Sequence, residues 1–174
     1  AQNRRHQQLE SEHLLRALLD QDGLAGRILD KAGVSPPALQ TAVDAYLSQQ
    51  PSLTNAPDSV FLGKGLNALF DRAETLKQSY GDSFISIEHL LLALADDGRC
   101  GRQLLSQAGT DTSRLKTAIN AVRGSQKVTD QNPEGTYESL EKYGRDLTSA
   151  ARDGNDNNNV NDNNNDNDND NDND

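Results

Sequence analysis

Glu88-His89-Leu90-Leu91-Leu92-Ala93-Leu94 occurs twice in this chain. Its earlier copy is Glu12-His13-Leu14-Leu15-Arg16-Ala17-Leu18, 76 residues upstream, Glu12 standing against Glu88. The match runs beyond the shared letters. Asp20 answers Asp96, and after a one-residue slip Gly23 answers Gly98 and Gly26-Arg27 answers Gly101-Arg102. Register then returns with Ala32-Gly33 against Ala108-Gly109, Leu39 against Leu115 and Ala42-Val43 against Ala118-Ile119. So many positions in step identify an internal repeat, and a repeat decides the architecture before any single element does.

Within each copy the apolar residues fall at helical spacing. In the first, Leu14, Leu15, Leu18 and Leu19 line one face of a helix from Glu10 or Ser11 to about Asp20, ended by Gly23. A short helix follows over 24–32 and stops at Gly33, the residue type favoured just past a helix end. Ser35-Pro36 is a start signal for a third helix to about Leu47, with Leu39, Ala42, Val43, Tyr46 and Leu47 apolar. The second copy adds an opening helix from about Gly65 to Tyr80, carrying Leu66, Leu69, Phe70, Ala73, Leu76 and Tyr80 on one face. Helices from Ser86, from about 100 to 108 and from 112 to 122 complete it, with Asp111 in the cap position of Ser35. The counterpart of the opening helix would precede Ala1, so the first repeat reads as having lost it and the chain as truncated at its amino end.

The expected fold is therefore all-α, two pseudo-repeats of a small helical bundle followed by a linker helix and a disordered tail. The boundaries are 1–48 for the first repeat, 49–62 for a linker, 63–123 for the second repeat, 124–154 for a connector with one helix, and 155–174 for the tail. Within the linker, Val60-Phe61-Leu62 is expected to pack down. In the tail every residue is Asn or Asp except Val160, a composition that cannot bury enough apolar surface to offset chain ordering.

Composition narrows the function classes. The formal net charge is −10, but seven aspartates of the tail supply most of it and leave the rest of the chain near −3. That lacks the basic footprint of a nucleic-acid binder. Cys100 is the only cysteine, so no internal disulfide forms, which suits a reducing compartment, and no apolar run approaches the roughly 18 residues of a membrane span. The chain reads as cytoplasmic. No G-x-x-x-x-G-K-[ST] loop is present, and Gly63-Lys64-Gly65, the nearest cluster, has neither its spacing nor its hydroxyl. His13 and His89 follow rather than precede a glutamate and stand far apart, so each is read as packing in the first turn of its helix and donating one hydrogen bond. The Asn/Asp tract lacks the fixed ligand spacing and turn glycine of a calcium loop.

Four stretches then carry a resemblance: the paired E-H-L-L copies, Asp71-Arg72-Ala73-Glu74, Val128-Thr129-Asp130-Gln131-Asn132-Pro133-Glu134-Gly135 and Leu140-Glu141-Lys142-Tyr143-Gly144-Arg145-Asp146-Leu147-Thr148. From Gln7 to about Gly154 the chain resembles the amino-terminal repeat domain of Clp ATPases, specifically that of ClpB-type disaggregating chaperones, with its connector to the first ATPase module. After Gly154 the family continues into that module, whereas this chain enters the Asn/Asp tract. The resemblance implies a substrate-recognition domain with no catalytic residues and no cofactor of its own. ATP and Mg belong to the full-length family, which works as a homohexamer with a DnaK-type chaperone in the heat-stress response. It also implies a groove that captures exposed segments of unfolded or aggregated proteins, bordered here by Asp82, Phe84, Glu88 and His89, with Leu69 and Phe70 from the preceding helix. Two alternatives stand beside this reading: an adaptor-docking domain of a ClpC-type protease motor, and a non-functional gene fragment. Glu88 likewise has a plainer reading, a first-turn carboxylate that suits the positive end of the helix dipole.

Overall fold

The computed structural model describes residues 1–21 and 23–129. They belong to one compact unit, Ala1–Tyr137. The helix expected from Tyr137 and the Asn/Asp tail lie outside the described residues.

The first repeat contains α1 (Ser11–Leu19), α2 (Leu24–Lys31) and α3 (Pro36–Ser48). The second contains α4 (Lys64–Tyr80), α5 (Ile87–Ala95), α6 (Gly101–Gln107) and α7 (Thr112–Arg123). Before α1 the chain forms a 3₁₀ turn, Gln2–Arg4, and a two-residue strand β1, Gln8–Leu9, which pairs in parallel with β2, Phe61–Leu62. The helix ends fall where the sequence signals place them. Gly33 and Gly109 adopt φ +81° and +93°, and in each copy two overlapping backbone bonds close the end: Gly33 to Asp30 with Val34 to Leu29, and Gly109 to Ser106 with Thr110 to Leu105. Of the two matched caps, Asp111 accepts from the Arg114 amide at 2.9 Å, while Ser35 makes no such bond and leaves the start of α3 to its proline.

The repeats share one core. α4 lies along α5 and α1 along α3, while α2 reaches across the repeat boundary to α7. Leu15, Ile28 and Val43 of the first copy and Leu91, Leu94 and Ile119 of the second have no exposed surface. Burying each such side chain is worth about 1.5–3 kcal/mol, which explains why short helices persist here that would fray alone.

Polar contacts also cross the boundary. The buried Glu10 carboxylate accepts from the Leu66 amide at 3.1 Å, so a residue of the first repeat caps the amino end of α4 in the second. A Cβ at position 63 would stand 2.1 Å from that carboxylate and one at 65 would stand 2.7 Å away, so a larger residue at either position would push the Glu10 side chain off its cap.

Phe61 and Leu62 depart from expectation. Rather than packing down, they are 56% and 53% exposed, because the Phe61 and Gly63 amides donate to the Gln7 and Leu9 carbonyls and hold the segment along β1, away from the core.

The duplicated Gly-Arg pair gives a prediction of opposite signs. A Cβ on Gly26 meets nothing within 4 Å, whereas one on Gly101 would stand 2.2 Å from the Leu94 carbonyl oxygen. Gly26→Ala is expected to raise stability by about 0.5–1 kcal/mol through reduced chain entropy. Gly101→Ala should lower it by about 1–3 kcal/mol through overpacking. Urea unfolding midpoints of the two variants check this, and equal shifts would contradict it.

Candidate functional site

α4 ends on Gly81, at φ +66°, with the Gly81 amide on Gln78 and the Asp82 amide on Lys77. This left-handed turn is costly for any other residue type, and it delivers Asp82 into the interior just beyond the helix. The Asp82 side chain has no exposed surface and accepts four bonds. Arg123, at the end of α7, donates to both its oxygens, Nη2 to Oδ1 at 2.8 Å and Nη1 to Oδ2 at 2.9 Å. The Val128 amide donates to Oδ1 and His89 Nε2 to Oδ2, each at 2.9 Å.

The tautomer of His89 follows from its partners. Nδ1 accepts from the backbone N–H of Ser86 at 3.0 Å, so the proton sits on Nε2 and is given to Asp82. Histidine thus closes the first turn of α5 in the place where a capping box has glutamate or glutamine. Glu88 is 1% exposed, bonded to the Ser86 hydroxyl and 4.0 Å from Arg123. The Tyr80 ring completes the cluster, edge-on to His89 and 5.2 Å from the Arg123 guanidinium carbon above its face. Burial alone would raise the Asp82 carboxyl, but the Arg123 and Val128 bonds reverse this and hold it below the usual carboxylate range. Burial lowers His89 against the pull of Glu88 and Asp82, so its ring stays neutral.

The first copy repeats this plan with different chemistry. Position 6 stands where position 82 does, and His6 Nδ1 lies 2.9 Å from His13 Nε2. His13 Nδ1 accepts from the Glu10 amide at 3.1 Å, so His13 donates through Nε2 and His6 accepts. Glu12, 1% exposed, takes the place of Glu88 and accepts two 2.9 Å bonds from Arg99 of the second repeat.

Of the residues expected at the groove, Asp82, Glu88 and His89 come together as a buried ionic base. Leu69 is fully buried in the core, which restricts it to packing beneath the surface, and Phe70 is half-buried. Phe84 is 37% exposed, and its neighbour Ile85, not among the expected site residues, is 39% exposed. Arg123 and Val128 were also missed. Arg123 was findable, because it continues the four-residue row of Leu115 and Ile119 and so places a charge on the buried side of α7.

Within the cluster the polar groups are taken up by one another. Ser86, His89 and Asp82 have the connectivity of a catalytic triad, but the Ser86 amide occupies the Nδ1 lone pair that would activate the hydroxyl, and the ring has no exposed surface. Among the described residues no group of three or more His, Cys, Asp or Glu is placed to hold a metal ion. No helix of the described residues is long and apolar enough to cross a membrane.

Comparison with known proteins gives concordant results. The family model for the Clp repeat (R) N-terminal domain matches residues 1–108. Chaperone protein ClpB 1 of Parasynechococcus marenigrum (strain WH8102) is 68% identical over 154 residues, covering 88% of this chain and 18% of the relative. Chaperone protein ClpB of Gloeobacter violaceus is 58% identical over 155 residues with the same two coverages. Among solved structures, the Hsp104 N-terminal domain from Candida albicans superposes with a TM-score of 0.65 at 24% identity, covering 77% of this chain and 88% of that one; at this identity the fold is what is shared. The chain spans 18% of the length of these curated relatives.

Proposed function

Because the chain belongs to the Clp repeat N-terminal domain family, we propose that it is the substrate-recognition domain of a ClpB-type chaperone, binding exposed segments of unfolded or aggregated proteins. In this reading the bound segment passes to ATP-driven modules for disaggregation and refolding under heat stress. Those modules, the homohexamer they form, the DnaK-type partner and the cytoplasmic setting belong to the proposal.

One observation carries it. Phe84 and Ile85 are adjacent large apolar side chains that remain exposed, although they are flanked by Asp82 and Ser86, both buried and bonded into the ionic base. A buried ionic base under an exposed apolar pair suits weak, sequence-tolerant capture, since it keeps the pair at the surface instead of in the core. Asp82, Glu88 and His89 serve here by fixing that segment, and Phe70, half-buried on α4, is kept within the proposed groove.

Titrating the ¹⁵N-labelled chain with a permanently unfolded protein should shift the Phe84 and Ile85 amides. Phe84→Ser should weaken binding roughly fivefold, equivalent to about 1 kcal/mol for a side chain already partly buried in the free state. Absence of binding by the unaltered chain would overturn the proposal.

A further inference from the structure

The repeat contains its own example of an extended segment bound at the position of Phe84. Offset by 76 residues, Ser83, Phe84 and Ile85 correspond to Gln7, Gln8 and Leu9. The flanks agree as well: His6 and Glu10 are buried in the first copy, Asp82 and Ser86 in the second, and the residues between are exposed apart from the half-buried Leu9. In the first copy an extended segment lies on this edge. Phe61 N–H donates to the Gln7 carbonyl at 2.9 Å and Gly63 N–H to the Leu9 carbonyl at 2.8 Å, in parallel register with Phe61 opposite Gln8 and Leu62 opposite Leu9. In the second copy, no described group donates to the carbonyls of Ser83 or Ile85, and the Ile85 amide donates to none. The Ser83 amide is held by the Val128 carbonyl at 2.8 Å, which anchors one end of the segment.

We propose that the Ser83–Ile85 edge accepts an extended apolar peptide as a parallel strand, in the register that Phe61–Leu62 takes on Gln8–Leu9. The inference rests on the client-binding reading above and specifies how the client is held. Two backbone N–H groups two residues apart on the client donate to the Ser83 and Ile85 carbonyls, and the client's side chains at the first donor and the residue after it lie opposite Phe84 and Ile85. Main-chain recognition of this kind needs no particular sequence, only an unfolded backbone with apolar side chains and without proline at either donor position. The match is better in the second copy, since Phe84 presents an aromatic surface where Gln8 presents an amide. Phe84 lies in a bend in the free structure where its counterpart Gln8 is already strand, so binding straightens it, while Ser83 keeps the bend that Gln7 has in the first copy.

The chain's own segment supplies the probe. A synthetic peptide of residues 57–64, Pro-Asp-Ser-Val-Phe-Leu-Gly-Lys, titrated into the ¹⁵N-labelled full chain should shift the Ser83, Phe84 and Ile85 amides. N-methylation of the peptide at Phe61 and Gly63 removes both donors and should weaken binding at least tenfold. N-methylation at Leu62 should change it less than threefold. If the doubly methylated peptide binds as well as the unmodified one, strand addition is overturned while client capture by side-chain contact stands. If neither this peptide nor an unfolded protein binds, both readings fall. Shifts confined to residues outside 83–85 also overturn the strand proposal.

Discussion

Replacing Asp82 with alanine is expected to destabilise the chain by about 3–5 kcal/mol. This is the range for removing one partner of a buried ion pair and leaving the other charge buried. The position concentrates several losses. Arg123, only 6% exposed, loses two charge-assisted bonds, and the Nε2–H of His89 and the amide of Val128 lose their acceptor in the interior. Asp82→Asn should cost less, because an amide oxygen can still accept while the charge is gone, although the amide nitrogen would turn a donor towards donors. Against a typical total of 5–15 kcal/mol, the alanine change removes a large share of the folding free energy. Urea unfolding monitored by circular dichroism measures it. A loss below about 1 kcal/mol would show that the network does little to hold the second repeat together.

Acidification from pH 7 to pH 4.5 should lower stability by roughly 2–3 kcal/mol before any carboxylate pair is neutralised. The cause is histidine. His13 is pushed down to about 4, mainly by burial, and the Glu10 amide and His6 already use both ring nitrogens in the neutral form. His6 and His89 are lowered as well, again chiefly by burial. An unfolded chain binds these protons near pH 6.5 and the folded chain does not. The contribution is therefore complete above about pH 6.5 and falls as pH drops towards the folded values. Glu12 and Asp82 act later. Burial would raise both, but Arg99 for the one and Arg123 with the Val128 amide for the other hold them below their ordinary values of 4.5 and 3.8. Their contributions are present above those values and are lost below them. Unfolding free energies at pH 7.5, 6, 5 and 4 should thus decline already between 6.5 and 5, and a flat profile over that interval would refute the histidine account.

The helical frame was legible because it depends on short-range signals. Apolar residues three and four apart, Ser35-Pro36, and the matched Gly33 and Gly109 each act within one turn, and the structure places α1 to α7 within a residue or two of where they point. The site was less so. Glu88 does stand in the first turn of α5, but that it is also buried depends on Ser86 and on Arg123, 35 residues further on. The pairing of β1 with β2 joins residues more than 50 apart with only two residues in each strand, too short for any alternation to register. His89 was expected to donate one bond. It both donates and accepts, because its ring closes the helix start as well as the ionic base, and nothing local distinguishes a capping histidine from a packed one.

Glu10 beneath Gly63 and Gly65, with Glu12 on Arg99, bears finally on how such a duplicated chain can change over time. Two copies of one unit ordinarily diverge as separate modules. Here a side chain larger than glycine at 63 displaces the Glu10 carboxylate from the start of α4, and losing Arg99 takes two bonds from a buried carboxylate in the other half. The halves inherit their substitutions jointly, so a repeat transplanted from a distant relative would have to bring its opposite number along.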